Sequence, residues 1–292
     1  MNKILQITLP LFFSTMTFGQ DFNSLTKECY SLIELNNTTA FRQTYPKLYT
    51  EYVKEQLPAY PEAIAFLKKN DNKKAISSIE KIVDEGYLLD ELPTDVKFKK
   101  LHQTKEWIAL LKKIKDKTPK SKLRFELKNI QDVDQGIRAL YLDCGSKFGK
   151  QNDKCLFVRK EMERVESVNV DKVLGIIDKH GWLGKDEIGE EGNTTLFLTV
   201  QHYKNAEVQK KYLSILEDAS KKGKAEPWQY AFLTDRILMN EGKPQIYGTQ
   251  TISQKGMPPK VYELKDSANV DQLRAKYGME PLADYLKSFE SE

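Results

Sequence analysis

Histidine and cysteine are scarce in this chain: three of each among 292 residues. No His-x-x-x-His and no Cys-x-x-Cys occurs, so the common sequence signatures of a zinc site are missing. Equally missing are a Gly-x-Ser-x-Gly elbow, a phosphate-cradling glycine loop and a dinucleotide fingerprint. We therefore expect no metal and no cofactor. Long apolar runs are lacking too. The best, Ile4 to Phe13, is broken by Gln6 and Pro10 and falls short of the roughly 20 residues a membrane span needs. Nor is there an excess of one charge. Lys and Arg number 46 against 42 Asp and Glu, a net +4, which argues against a dedicated nucleic-acid binder. The lysine-rich stretches Lys112–Lys122 and Lys210–Lys224 are interleaved with helix formers and read as solvated faces or linkers.

The N-terminus carries the pattern of an export signal over residues 1–19. Lys3 gives a positive start, Ile4 to Phe13 an apolar stretch, and Ser14 to Gly19 a small-residue exit before Gln20. No cysteine follows closely, which argues against a lipid anchor. The expectation is a periplasmic or extracellular protein. In that oxidising setting Cys144 and Cys155, which flank a loop between two expected helices, are either bridged or a pair of free thiols. Cys29 remains as a small buried hydrophobe.

The helical pattern breaks near Lys115–Lys122, where Asp-Lys-Thr-Pro-Lys-Ser intervenes. This predicts a helical module over 20–117 and a second domain over 118–292. In the first, Phe22, Leu25, Cys29 and Leu32 recur at helical spacing, Leu57 to Leu67 forms another helix, and Asn72 to Gly86 a third with glycine as its stop. Asp95 to Leu101 and Glu106 to Ile114 follow. The run Ala63 to Ile79, then Gly86-Tyr87, Asp95, Phe98, Leu101 and Trp107, resembles a terminal tetratricopeptide unit. That resemblance implies stacked helix pairs and, in many relatives, peptide or protein binding. A single unit offers little concave surface, so a stabilising cap is the alternative role.

The second domain reads as helices with one change of period. Helices are expected from Leu127, over Asn152–Glu166, from an Asn169 cap to Gly181, over Thr194–Tyr203 and Glu207–Lys222, and from Pro227 to near Gly242. The glycine-rich Trp182–Gly192 reads as a loop. Gln245–Ser253 and Lys260–Leu264 look β-like, with Gln254–Pro259 closing a hairpin, before two short helices, Val270–Tyr277 and Pro281–Phe289. The fold class is thus mainly α with a small β-hairpin.

Polar residues at positions where helical periodicity asks for apolar ones mark this half. Asp134 lies four after Ile130 and three before Ile137, with Arg138 at ion-pair spacing. Asp235 shares a face with Trp228 and Phe232. Such residues form either a hydrogen-bonded structural network or a site. In order, Asp134-Gln135 with Arg138, His180-Gly-Trp182 with Gly189, Gln201-His202, Gln209, Ala231 to Asp235-Arg236, Gln245-Ile-Tyr-Gly-Thr-Gln250 and Asn269 to Pro281 resemble a bacterial domain family of unknown function, number 6624. Leu183 stands where that family often has proline, and Tyr203 where it often has a small residue. The family implies an architecture and positions but no reaction.

Two functions stay open. The first is a binding protein with a polar pocket built from Asp134, Gln135, Arg138, Gln201, His202, Asp235, Arg236, Gln245, Tyr247 and Gln250. Alternation would put Gln245, Tyr247 and Thr249 on one strand face, beside a glycine that admits close approach, suiting a peptide, a protein or an envelope sugar. The second is a cofactor-free hydrolase or lyase of envelope material, with His202 as base and Asp235 as acid or as orienter of His202. Convergence of those two side chains in one cleft is the geometric requirement.

Overall fold

Helix-starting residues recur along the chain, and the computed structural model, which describes residues 20–119, 121–203, 205–252 and 260–287, shows what each begins. In the N-terminal part these are α1 (Gln20–Glu34), α2 (Thr38–Thr44), α3 (Lys47–Gln56), α4 (Ala59–Lys68), α5 (Asn72–Glu85) and α6 (Lys105–Lys117). Asn37, Asp71 and Thr104 each accept a backbone N–H of the first turn of α2, α5 and α6. Gly86 ends α5 in the left-handed conformation at φ +86°. The expected helix over 95–101 is present in tighter 3₁₀ form, over Val96–Leu101. Helices α4 and α5 fold back on each other where the sequence resembles a tetratricopeptide unit.

The C-terminal part contributes α7 (Lys122–Phe148), α8 (Asp153–His180), α9 (Lys185–His202), α10 (Ala206–Lys221), α11 (Pro227–Asn240), α12 (Val270–Lys276) and α13 (Leu282–Lys287). Asn152 caps α8, Asn205 caps α10, and Pro227 occupies the first turn of α11. The stop expected after Glu166 does not occur. Asn169 lies inside α8, buried, with its amide 3.5 Å from the Ile130 carbonyl. Val165 before it and Val170 and Val173 after it are buried, so packing carries the helix through weak formers. The Trp182–Gly192 loop is also shorter than expected. Helix α9 begins at Lys185 and bends at Gly189, whose φ of +76° only glycine adopts readily.

Among the described residues the β content is smaller than the sequence suggests. β1 (Thr251–Ile252) pairs antiparallel with β2 (Lys260–Val261), Thr251 opposite Val261. Gln245 makes only an isolated bridge to Leu264. The export signal at 1–19, the hairpin connection over 253–259 and the end of the last helix lie outside the described residues. Among those described, no helix is long and apolar enough to cross a membrane.

Two apolar cores form, and the long helices α7 and α8 belong to both. The first core joins α1–α6 to Ile137, Leu140 and Cys144 of α7 and to Cys155, Val158 and Val165 of α8. A disulfide between Cys144 and Cys155 ties these ends, and Cys29 is a buried free thiol in the same core. The second core takes Leu127 and Ile130 from the start of α7 and Val173 and Ile177 from the end of α8, with α9–α11 and Tyr285. At 27 residues α7 runs about 40 Å, long enough to serve both. Helix α9 lies along α7 in the same direction, with Thr195 bonded to the Leu127 carbonyl and to Gln131. The expected division at 117 is a break in helix succession, since the first core draws on both sides of it.

Candidate functional site

The polar residues separate into two groups. The first is a structural network around Asp235. This carboxylate is wholly buried on α11, and both oxygens are filled by one loop. Oδ1 accepts the N–H of Ile246 at 2.8 Å and of Tyr247 at 3.1 Å; Oδ2 accepts Tyr247 N–H at 3.1 Å, Thr249 N–H at 3.0 Å and the Thr249 hydroxyl at 2.9 Å. Burial pushes the carboxyl above its ordinary pKa, against the pull of these donors. From the other side Arg274, 1 % exposed, donates to the carbonyls of Tyr247 (2.8 Å) and Glu280 (2.6 Å) and lies over the Tyr285 ring. The loop is thus gripped by an acid through its N–H groups and by a base through its carbonyls.

Gln245 and Gln250 complete the network. The Gln245 amide donates to the carbonyls of Gln250 and Tyr262 and accepts the Gln250 N–H, all within 2.9 Å. Gln250 donates to the Thr249 hydroxyl. Tyr247 packs edge-on against Tyr277, 5.0 Å between centroids. The expected strand face of Gln245, Tyr247 and Thr249 does not form, because Asp235 draws the N–H groups of Ile246, Tyr247 and Thr249 inward and Gly248 turns the chain at φ +67°. The hydrogen-bonding groups of Asp235, Gln245 and Gln250 are thus taken up within the domain, as in a structural network. Gln209 and Asn193, also buried, do the same for the carbonyls of Val200, Gln201, Leu183 and Lys224.

The second group lines a cavity of about 260 Å³ between α7, α8 and α9. Asp134 and Arg138 come from α7, Glu163, Glu166 and Val170 from α8, and Leu198, Thr199 and His202 from α9. Arg138 is held from two sides, Nε 3.0 Å from Asp134 Oδ2 and Nη2 2.6 Å from Glu166 Oε1. Gln135 donates to the same Asp134 oxygen at 2.6 Å, while its own amide oxygen is buried without a donor. The His202 imidazole has no hydrogen-bond partner among the described residues. Burial holds its pKa well below the ordinary histidine value, and the guanidinium groups of Arg138 and Arg236 push it the same way. It is therefore neutral at pH 7. Gln201 points away, its amide 3.4 Å from the Phe232 carbonyl. Arg236 lies beyond the cavity wall with a buried Nε that meets no acceptor.

His202 and Asp235 therefore do not share a cleft. His202 lines the cavity, and Asp235 is absent from its wall with its acceptor positions taken by the loop. The acid–base pair expected of them is not assembled. Residues 121–292, which include the cavity wall and the whole Asp235 network, match a family of unknown function, DUF6624. The chain belongs to that family. No curated protein and no solved structure matches it.

A second polar cavity, missed by sequence reasoning, lies where the DUF6624 domain meets Glu85, Gly86, Leu89, Lys117 and Pro119. About 220 Å³ in volume, it is lined among others by Arg124, Lys128, Lys185, Gly189 and Glu191. Lys128 bridges Glu91 Oε1 at 2.7 Å and Asp132 Oδ2 at 2.9 Å. Burial lifts the Glu191 carboxyl to a pKa of about 8; Lys128 opposes this, and Glu91, Asp132 and Asp90 add to it. The Lys128–Asp132 spacing was visible in the sequence. The approach of Asp90 and Glu91 from the N-terminal helices was not. Among the described residues no group of three or more His, Cys, Asp or Glu is arranged to hold a metal ion.

Proposed function

We propose that this protein is an exported binding protein, and that its DUF6624 domain takes a small polar ligand in the cavity between α7, α8 and α9. The observation that carries the reading is His202: a neutral, unpartnered imidazole on a cavity wall, opposite a guanidinium fixed by two carboxylates. A neutral imidazole offers one donor and one acceptor to a ligand. Its depressed pKa makes it a poor proton acceptor at pH 7, which favours recognition over general-base chemistry. The rigid helices around it suit a preformed pocket. The N-terminal helices, which share a core with α7 and α8, would stiffen that pocket or engage a partner of their own.

A thermal-shift screen of the chain lacking residues 1–19, against amino acids, short peptides, amines and envelope sugars, tests this. Two variants serve as controls: His202→Ala, which removes the imidazole, and Thr199→Trp, which fills the cavity. We expect a compound that raises the wild-type Tm and has no effect on Thr199→Trp. If every stabilising compound acts equally on all three proteins, the cavity is not the site.

A further inference from the structure

We propose that the ligand of this cavity is cationic, presenting a primary ammonium or a guanidinium on a short aliphatic chain. The inference rests on the reading of the cavity as a binding site and adds the class of ligand. It follows from which polar groups around Asp134, Arg138 and His202 are still without partners, and from the sign of the charge on the wall.

The unpartnered carboxylate oxygens here are acceptors, and the imidazole contributes one acceptor beside its one N–H donor. Asp134 uses Oδ2 for both Arg138 and Gln135, which leaves Oδ1 without a hydrogen bond among the described residues. Glu166 uses Oε1 for Arg138 and leaves Oε2. The neutral imidazole adds a lone pair. Partly buried acceptors in this state favour a partner rich in N–H groups. Ammonium carries three and guanidinium five.

Charge points the same way. Among the described residues, Asp134, Glu163 and Glu166 line the cavity against one cation, Arg138. Glu163 faces solvent and pairs with Arg159, so its weight is small. Asp134 and Glu166, with side chains 18 % and 29 % exposed, act in a medium of lower dielectric than water and still outnumber Arg138. Because burial, Arg138 and Arg236 keep His202 neutral, the imidazole adds no positive charge. Arg236 would attract an anion, but it stands outside the wall, and an anion inside would meet two carboxylates first. Val170 and Leu198 on the same wall offer apolar surface for methylene groups. A free amine and the basic side chain of a peptide share this chemistry.

The test is an NMR titration of the ¹⁵N-labelled chain lacking residues 1–19. The compounds are 1,5-diaminopentane and Nα-acetyl-lysine amide as cations, acetate as anion and N-acetylglucosamine as neutral. We expect one or both cations to shift the amides of residues 134–138, 166–170 and 198–203 saturably, with the blocked lysine favoured for a peptide source and the diamine for a free amine. Affinity should fall at least tenfold in Glu166→Gln and should weaken with added salt. Tighter binding of acetate or the sugar at these amides overturns the cationic class and leaves the pocket standing. So does cation binding that neither salt nor Glu166→Gln weakens. If none of the four compounds perturbs these amides, the cationic ligand is refuted here, and the thermal-shift screen decides separately whether the pocket binds anything.

Discussion

Replacing Glu191 by glutamine should flatten the pH dependence of stability. In the folded chain this carboxyl titrates near pH 8, against an ordinary value of 4.5. Between those values the native state keeps a proton that the unfolded chain releases. The associated stability is therefore complete below about pH 4.5 and is lost as pH rises towards 8. The slope is at most about 1.4 kcal/mol per pH unit, so the loss by about pH 9 is bounded near 4 to 5 kcal/mol. Glu191 titrates together with the charged groups around it, so this figure is an upper bound and a loss of roughly half is expected. Glutamine keeps the shape and cannot ionise. Urea unfolding of wild type and Glu191→Gln at about pH 5, 7 and 9 should give similar free energies at the acid end. At the alkaline end the variant should be more stable by about 2 kcal/mol or more. His202, with a depressed pKa, gives stability that is lost as pH falls below the ordinary histidine value, the opposite sign. That contribution is common to both proteins and cancels in the difference. Asp132, raised by burial, leaves some slope in the variant. Parallel curves for the two proteins from acid to alkaline pH would refute the placement of a protonated Glu191 beside Lys128.

Other substitutions separate network from pocket. Asp235→Ala should cost about 3 kcal/mol or more in denaturant unfolding, because buried N–H groups of three loop residues lose their acceptor; a cost under 1 kcal/mol would show that the loop holds itself. Gln250→Ala should cost about 2 kcal/mol, whereas His202→Ala, which breaks no hydrogen bond, should lie within about 1 kcal/mol of wild type. Cys155→Ser should lower stability by about 3 kcal/mol through the loop of 11 residues that the bridge closes, and a reducing agent should lower the wild-type Tm to match.

Capping chemistry made most of the helices readable. Asn152, Asn205, Pro227 and Gly86 each sit at a helix end because their demands are local. Asn169 misled because its cap preference was outweighed by the packing of Val170 and Val173, a tertiary effect with no mark in the neighbouring sequence. The polar residues were legible as anomalies but not as two separate sets. Asp235 and the loop over 246–249 are joined by hydrogen bonds across 11 to 14 residues, which pattern analysis read as a strand. Asp134, Arg138 and His202 do line one cavity, and all three lie in the stretch that matches the family. Glu191 escaped notice because its pKa is set by burial and by Glu91, 100 positions earlier.

Gly136 sits on α7 between Asp134 and Arg138, where the helix meets the chain at Tyr45 and Pro46 so closely that an added Cβ would stand 2.3 Å from the Tyr45 carbonyl oxygen. Any side chain there must push backbone away from backbone. The homologous stretch begins at 121, yet the surface that requires this glycine belongs to residues outside that stretch. The family stretch and the packed core around α7 therefore have different borders. A fragment cut at the family boundary would bare one flank of α7 along Gly136, Ile137 and Leu140, on the same turns that present Asp134 and Arg138 to the cavity.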